Sequence, residues 1–355
     1  MIVCPITKLM LARCTMDEGE SVVGTRIRGV KCLQGTWDID EVLLREDRKC
    51  AYPIVQGIPI LIARECMSVN QMSLVDDQRY IESYEEMSYY NECALKCSYD
   101  ITSSAAYRAI LPIITASNDE RKSFPASREI YLDAIYDCSA QWDAYTHISP
   151  VNGKRVLQIG GMGIHAVKFL LAGAKESWLV TPMIGEVICA QALAREAGVV
   201  SSLTCVVGIA EELPFSSDMF DAVYSGGCLH HTVTSLAFPE CIRVLRAGGK
   251  LSAVDPWKTP VYSIGIKIFG KREDACCQPM TSSRIEPLRL VTTNVRIVHH
   301  GAITRYALLL LDKLGIRCGL RTAWWINLFD DAVSSIIPGV RKYGGSIAVL
   351  ATKQN

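Results

Sequence analysis

The stretch KRVLQIGGMGIHAVKFLLAGA, residues 154–174, decides the fold of this chain. It opens with a short apolar run at residues 156–159 and continues, from residue 165 onward, with apolar residues at helical spacing. Three glycines separate the two parts: Gly160, Gly161 and Gly163. The pattern predicts a β-strand, a glycine turn and an α-helix.

A glycine turn in this position has the properties of a ligand site. Because glycine lacks a side chain, a ligand can approach the backbone closely. The start of the helix adds unpaired N–H groups and the positive end of the helix dipole. Any glycine-rich turn between a strand and a helix shares these properties, so the identity of the ligand depends on the residues that follow.

Predicted strands and helices alternate after the turn. Short apolar strands are predicted at residues 177–181 and 203–207, with a helix at residues 185–197 between them. Such alternation is typical of an α/β fold, in which helices cover both faces of a parallel sheet. Ligands then bind beyond the carboxyl ends of the strands, beside a first strand at the centre of the sheet. A last strand is predicted at residues 343–352.

Four sequence blocks follow the turn in a fixed order: AEELPF at 210–215, FDAVYS at 220–225, LHH at 229–231 and RVLRAGGKL at 243–251. Together with the turn they resemble the class I S-adenosylmethionine-dependent methyltransferase family of small-molecule type. The resemblance is close over about residues 150–256. It implies a Rossmann-like, doubly wound, seven-stranded α/β sheet, whose last strand, at residues 343–352, pairs antiparallel at the sheet edge. It also implies S-adenosylmethionine as the cofactor.

The resemblance also implies cofactor-binding roles by position. The glycines would approach the methionine part of the cofactor, and Ala210 and Glu211 stand where the third strand of the family meets the adenine. Ser225 and Gly226 end the fourth strand, beneath the reacting sulfonium. The candidate cofactor-binding residues are Gln158, Gly160, Gly161, Gly163, Thr181, Ala210, Glu211, Ser225 and Gly226.

Three acidic contacts of the family are replaced in this chain. Gln158 precedes the first glycine, Thr181 ends the second strand, and Ile209 stands before the adenine contact. Glu186 or Glu211 is placed to return a carboxylate to the ribose or the adenine. Two interpretations stay open, namely retained cofactor binding through backbone groups and altered use of the cofactor.

His230 and His231 are the candidate catalytic residues. A histidine whose pKa is near neutral can take a proton from a substrate hydroxyl, amine or carbon acid. In many relatives, however, the LHH block is a framework element whose histidines cap backbone groups, so both roles stay open. Two adjacent histidines without a third ligand make a poor zinc site, and no metal is predicted.

Residues 1–65 resemble the small zinc-ribbon-like module, of the Trm-one-twelve type, that often precedes methyltransferase domains. Two CxxC pairs hold zinc in that family, because four thiolates close a tetrahedral site. Here Cys4 remains, Thr7 stands at the second ligand position, and Arg45 and Arg48 stand where the second pair belongs. The interpretation favoured is a module that kept its strands, lost its metal and serves in packing or partner contact. A metal site is the alternative.

The remaining chain divides into two further parts. Residues 66–150 are predicted to form a helical lid, with helical spacing at 80–90 and 131–145, and residues 151–355 form the methyltransferase domain with a cap insertion at about 257–340. In the lid, Tyr84, Tyr89, Tyr90 and Trp142 either line a pocket or pack on the core. In the cap, Lys267, Lys271, Arg272, Arg284 and Arg289 either hold an anionic substrate group or lie on a solvated surface. The apolar run 323–333 either lines the pocket, forms a dimer interface or touches lipid.

The amino-acid composition limits the classes of partner that this protein is expected to bind. The 355 residues carry 37 basic and 37 acidic side chains, so there is no basic excess of the kind that nucleic-acid binding favours. The 15 cysteines come without a signal-peptide pattern, which favours reduced thiols and a cytoplasmic location. No apolar run reaches the length of about twenty residues that a membrane span needs. A small-molecule substrate is therefore expected, and a homodimer stays open.

These observations predict a methyltransferase that moves a methyl group from S-adenosylmethionine to oxygen, nitrogen or carbon of a small, partly apolar metabolite of secondary or isoprenoid metabolism. The alternative is a methyltransferase-fold protein that uses the bound cofactor for a non-methylating, pericyclase-like reaction, or that only binds. RNA methylation is disfavoured by the zero net charge.

Overall fold

The computed structural model describes residues 1–15, 39–62, 78–262, 278–316, 318–337 and 339–354. Three of the cap cations predicted above, Lys267, Lys271 and Arg272, lie outside the described residues, as does the side chain of Tyr84. Among the described residues, no helix is both long enough and apolar enough to cross a membrane.

Two sheets organise the described chain, one of four strands and one of seven. The strands are β1 Leu11–Thr15, β2 Ile39–Arg45, β3 Ala51–Val55, β4 Ile58–Pro59, β5 Arg155–Ile159, β6 Glu176–Thr181, β7 Leu203–Val207, β8 Phe220–Gly226, β9 Leu245–Pro256, β10 Val295–His300 and β11 Ser346–Thr352. The helices are α1 Gln78–Tyr99, α2 Ala105–Thr115, α3 Asn118–Lys122, α4 Arg128–Tyr131, α5 Cys138–Ile148, α6 Ile164–Leu171, α7 Ile184–Glu196, α8 Thr234–Val244, α9 Ser282–Val291, α10 Thr304–Lys313 and α11 Leu320–Ile336.

The seven-stranded sheet has the order β10-β11-β9-β8-β5-β6-β7. Strand β5 pairs in parallel with β6 on one side and with β8 on the other, so the strand before the glycine turn lies inside the sheet. The chain leaves β5 toward β6 and β7 and later returns to β8, which makes the end of β5 the switch point of the sheet. The predicted doubly wound α/β fold is confirmed.

The prediction for the last strand is wrong in one respect. Strand β11 is antiparallel, as expected, but it pairs with β9 on one side and with β10 on the other. The edge position belongs to β10, because its six residues continue the ladder outward from β11.

The predicted single helix over residues 131–145 is also wrong: helix α5 begins only at Cys138. The Gln141 side chain accepts hydrogen bonds from the backbone N–H groups of residues 133 and 134, which satisfies a non-helical path there.

Buried side chains alternate between the two faces of the central strands. Val156 and Ala222 point to the face covered by α5 and α6, whereas Leu157 and Val223 point to the face covered by α8. This period of two is the geometry of an extended strand, and both faces are apolar because helices cover both.

The N-terminal sheet of β1 to β4 is antiparallel and covers the β7 edge of the large sheet. Ile60 pairs in parallel with Val207, and the Leu61 N–H donates to the Val207 carbonyl at 2.7 Å. At the other end, the Val3 N–H donates to the Pro214 carbonyl at 3.0 Å. An open strand edge is a site of unwanted pairing, and the contacts of Ile60 and Leu61 cover this edge at Val207.

An arginine contacts Cys4, the cysteine that remains at a zinc-ligand position of this module. The Arg45 Nη1 atom lies 3.8 Å from the Cys4 sulfur, and the Tyr52 hydroxyl lies 3.2 Å from it on another side. Burial by itself would raise the pKa of the Cys4 thiol, but hydrogen bonds from Thr7, Tyr52 and Arg45 lower it to about 7. A guanidinium thus gives the thiol sulfur a positive neighbour, as a metal ion would.

His300 joins three elements of the C-terminal part. Its Nε2 lies 3.0 Å from an Asp143 oxygen on α5, and its Nδ1 lies 2.7 Å from an Asp331 oxygen on α11. Burial by itself would lower the pKa of His300, but the hydrogen bonds to the two carboxylates raise it to about 9. The imidazolium therefore ties α5, β10 and α11 together at neutral pH.

This arrangement predicts a stability that falls at alkaline pH. Since the pKa of His300 is about 9 in the folded protein and about 6.5 in an unfolded chain, its contribution is fully present below about pH 6.5 and is lost as the pH rises through 9. We expect a loss on the order of 3 kcal/mol in the free energy of unfolding between about pH 6 and pH 10, measured with urea. The variant His300→Gln should lack this loss, whereas His147→Gln, on helix α5, should retain it. An equal pH dependence in wild type and His300→Gln would contradict the assignment.

Candidate active site

The glycine turn has the left-handed backbone that its sequence requires. Gly160, Gly161 and Gly163 have φ angles of +70°, +76° and +77°. Gln158 braces this turn from below: its Oε1 accepts from the Ala166 N–H at 2.6 Å, and its Nε2 donates to the Gly160 carbonyl at 2.7 Å. A carboxylate in this position could accept but not donate, so the amide satisfies both ends of the turn. Gln158 is fully engaged with the backbone of the turn.

The three glycines meet different surroundings. A Cβ on Gly160 would lie 2.3 Å from the Cys228 sulfur, and a Cβ on Gly163 would lie 2.3 Å from the Ala190 Cβ. A Cβ on Gly161 would meet nothing closer than the Gln158 Nε2, at 3.5 Å. Gly160 and Gly163 therefore permit close packing of the loop after β8 and of helix α7, while Gly161 faces more open space.

Glu186 restores an acidic group beside the turn. It lies in the first turn of α7, is almost fully buried, and accepts a hydrogen bond from the Thr181 hydroxyl at the end of β6. Burial raises the pKa of Glu186 to about 7, against the hydrogen bonds from Thr181 and from the Gly161 N–H. The carboxylate absent from the end of the second strand is thus returned from the following helix, against the glycine turn.

Ala210 and Glu211 follow strand β7 in a single helical turn over residues 210–212. Ala210 is buried, whereas the Glu211 Oε1 accepts a hydrogen bond at 2.8 Å from the backbone N–H of Val233, just before helix α8. This contact gives Glu211 the role of a helix cap, in which a carboxylate satisfies an N–H group at the helix start.

Ser225 and Gly226 lie at the carboxyl end of β8, beside the turn. Ser225 is in register with Ile159, the residue directly before Gly160, and its side chain is fully buried. The structure therefore brings the ends of β5, β6 and β8 together at one edge of the sheet, as the sequence predicted.

His165 is a further polar group at this edge that the sequence analysis did not single out. Its Nδ1 lies 2.6 Å from the Tyr145 hydroxyl, and its Nε2 lies 2.8 Å from the position of a Cβ on Gly226. Burial lowers the pKa of His165 to about 4, so the ring is neutral across the physiological range. The partner Tyr145 lies twenty residues upstream on another helix, and the sequence pattern carries no signal for that pairing.

The two predicted catalytic histidines each have a carboxylate partner. The His230 Nδ1 lies 2.9 Å from the Asp255 Oδ1 at the end of β9, and the His231 Nδ1 lies 3.3 Å from the Glu86 Oε2 on α1. The rings of the two histidines are 4.0 Å apart. A carboxylate on Nδ1 fixes the ring so that Nε2 is the nitrogen left to accept a proton. His231 is the more exposed of the two.

The aromatic residues of the predicted lid do not form one group. Tyr89 and Tyr90 are exposed on α1, in edge-to-face contact with each other. Trp142 packs against Arg128, whose guanidinium carbon lies 4.0 Å from the Trp142 ring and 4.6 Å from the Trp324 ring. Trp142 therefore serves in packing between α5 and α11.

Within the ranges described, no group of three or more His, Cys, Asp or Glu side chains is arranged to hold a metal ion.

One family model matches the central part of the chain. Residues 157–253 match the family model for a methyltransferase domain, which spans the glycine turn and strands β5 to β8 with part of β9. This part of the chain is a methyltransferase domain, and the resemblance predicted from the four sequence blocks is confirmed for it.

Two curated proteins are similar over shorter stretches. The chain is 31% identical over 121 residues to the ubiquinone/menaquinone biosynthesis C-methyltransferase UbiE of Vibrio vulnificus (strain YJ016), over 33% of this chain and 46% of that protein. It is 49% identical over 49 residues to the malonyl-[acyl-carrier protein] O-methyltransferase of Herminiimonas arsenicoxydans, over 14% of this chain and 19% of that protein. The alignments thus span less than half the length of these relatives.

Solved structures are similar at lower identity. The geranyl diphosphate C-methyltransferase from Streptomyces coelicolor A3(2) is 14% identical, with 71% of this chain and 99% of that chain covered and a TM-score of 0.43. The [4+2]-cyclase SpnF is 21% identical, with 59% and 79% covered and a TM-score of 0.43.

The surroundings of the glycines predict unequal effects of alanine. Gly161→Ala meets open space and should cost only the left-handed backbone strain, about 1–2 kcal/mol in the free energy of unfolding. Gly163→Ala adds a collision with Ala190 and should cost about 1–3 kcal/mol more. Urea unfolding of the two variants measures the difference. Equal losses would mean that helix α7 does not press against the turn.

Proposed function

We propose that this protein is an S-adenosylmethionine-dependent methyltransferase that acts on a small, partly apolar metabolite. The methyltransferase-domain match carries the proposal, and the site geometry supports it. The left-handed glycine turn, the Glu186 carboxylate and the end of β8 converge at the switch point of the sheet, where ligands bind in such folds.

Glu186 is the residue we assign to the ribose hydroxyls of the cofactor. Its carboxylate lies between the end of β6 and the Gly161 N–H, and Gly161 leaves room for a ligand to approach. The donor set fits a polar nucleoside edge, because a carboxylate accepts hydrogen bonds from two adjacent hydroxyls. Thr181 then holds the carboxylate in place instead of contacting the ribose itself.

His231 and Glu86 are the pair we assign to proton removal from the acceptor. When bound, the cofactor supplies a methyl group already activated on its sulfonium, so the protein must align the acceptor and take up its proton. Glu86, on helix α1, would orient the His231 ring through its Nδ1 atom, and the His230 ring packs against it at 4.0 Å. The neutral His165 ring offers a hydrogen bond near the end of β8.

One relative supports a proposal for the chemical class of the acceptor. UbiE is named for C-methylation in ubiquinone and menaquinone biosynthesis. Similarity to that protein supports an acceptor with a sizeable apolar part.

Glu186 makes the first prediction about this function. Because its pKa is about 7, the carboxylate is increasingly ionised above neutral pH, and the affinity for S-adenosylmethionine should rise from about pH 6 to pH 8. Glu186→Gln should weaken binding by about tenfold or more and remove this pH dependence. Glu196→Gln, an exposed carboxylate on the same helix, is the matched control. Isothermal titration calorimetry with S-adenosylmethionine and S-adenosylhomocysteine measures both effects. If neither ligand binds the wild-type protein, the proposal fails.

His231 gives the second prediction about this function. With a panel of phenol, quinol and amine acceptors that carry an apolar chain, His231→Gln should lower kcat by about a hundredfold or more, and Glu86→Gln by about tenfold. Both variants should bind S-adenosylmethionine normally, and His147→Gln should keep wild-type turnover. Release of S-adenosylhomocysteine is the readout. Cofactor binding without turnover of any acceptor would instead favour the non-methylating alternative, and an unchanged kcat in His231→Gln would remove this residue from the chemistry.

A further inference from the structure

Most of the fully buried side chains of helix α11 are polar, and several of its large apolar side chains are exposed. Its buried positions recur at steps of four, three and four residues, which places them on one face of a helix with about 100° per residue. Three of the four are polar: Ala323, Asn327, Asp330 and Ser334. Leu320 and Trp324 are partly buried against the core as well, so polar and apolar contacts together orient this helix.

Those inward contacts explain the orientation. The Asp330 Oδ2 accepts from the backbone N–H groups of Ile303 and Thr304, both at 2.8 Å, and thereby caps the start of α10. The Asp330 Oδ1 accepts from the Ser334 hydroxyl at 3.2 Å. Rotating α11 to bury its other side would leave these N–H groups and the carboxylate unpaired, which is unfavourable because a buried charge needs hydrogen-bond partners.

The opposite side of α11 is therefore exposed, and it is apolar. Trp325, Phe329 and Ile336 are 65%, 63% and 77% exposed, and at about 100° per residue they lie within about 40° of one another. Four more large apolar side chains are at least half exposed on the neighbouring segments: Leu310, Leu314, Ile316 and Ile337. Single exposed apolar residues are ordinary, but seven within 28 positions are typical of an interaction surface. We call these seven residues the apolar face.

Positive charge accompanies the apolar face. Over the described residues between 303 and 343, the exposed charged side chains are Asp312, Lys313, Arg321, Arg341 and Lys342. The two acids of α11 are held in contacts within the protein: Asp330 caps α10, and Asp331, which is one third exposed, binds His300. Arg321 stands one turn before Trp325 on the same side of the helix. The exposed surface thus combines aromatic and aliphatic side chains with an excess of cations.

We propose that the apolar face docks the protein on an anionic membrane surface. Helix α11 would lie in the plane of the interface, with Trp325, Phe329 and Ile336 among the upper acyl chains and the cations at the headgroups. A second copy of the chain is a poorer occupant, because symmetric contact would bring the same cations against each other. The proposal does not depend on the proposed function, although an acceptor with a long apolar part would be found at such a surface.

Vesicle co-sedimentation of the full chain tests the proposal. Wild-type protein should bind vesicles of equimolar phosphatidylglycerol and phosphatidylcholine about tenfold or more tightly than pure phosphatidylcholine vesicles, and about 0.5 M sodium chloride should remove the difference. The double variant Trp325→Ser, Phe329→Ser should lose about tenfold or more of this binding. The matched control Tyr99→Ser, Leu290→Ser removes two side chains that are 86% and 79% exposed elsewhere, and it should bind like wild type.

A charge variant keeps the test independent of any change in folding. Arg321→Gln with Arg341→Gln leaves the apolar side chains in place and should reduce binding to the anionic vesicles while leaving binding to phosphatidylcholine unchanged. The proposal is overturned if wild type does not sediment with anionic vesicles, or if the Trp325→Ser, Phe329→Ser variant sediments equally well. Light scattering that shows a wild-type dimer, converted by the same double variant to monomer, would assign the apolar face to a second copy instead.

Discussion

The positive φ angles of the glycine turn are the constraint on which the site depends. They let the chain leave β5 and enter α6 while Gly160 packs against Cys228 and Gly163 packs against Ala190. A side chain at either glycine would separate the turn from the loop after β8 or from helix α7. Gln158 then locks the turn by bonding to both of its ends. The ends of three parallel strands meet as a result.

Two of the acidic side chains at the carboxyl ends of the strands come from helices and not from the strands themselves. Glu186 reaches back from α7 to Thr181, and Glu86 reaches from α1 to His231. Both groups depend on the packing of a helix, and that packing depends on close contacts such as the one between Gly185 and Asn91, whose side chain accepts the Gly185 N–H at 2.7 Å. The packing of α1 against α7 therefore determines where the carboxylates of Glu86 and Glu186 lie in the site.

Wholly or partly buried contacts of charged side chains organise the parts outside the sheet. Arg45 lies against Cys4 in the N-terminal module, Lys168 is fully buried in a pair with Asp133, and His300 lies between Asp143 and Asp331. Removing one partner of a buried pair leaves an uncompensated charge, which costs more than the pair itself contributes. Such pairs therefore fix which elements lie together. The same rule holds for Asp330, whose inward bonds leave the apolar side of α11 exposed.

The α/β alternation and the glycine turn follow from the amino-acid sequence alone, because strand and helix periodicity and the need for positive φ are local properties of the chain. The methyltransferase resemblance follows from it as well, since the four blocks stand in one continuous region. Three features emerge from the folded arrangement alone: β10 and not β11 is the edge strand, Glu186 and not Glu211 stands at the turn, and His165 faces the end of β8. These are contacts between residues distant along the chain, and they depend on how helices pack across the sheet. Local patterns carry no information about such distances.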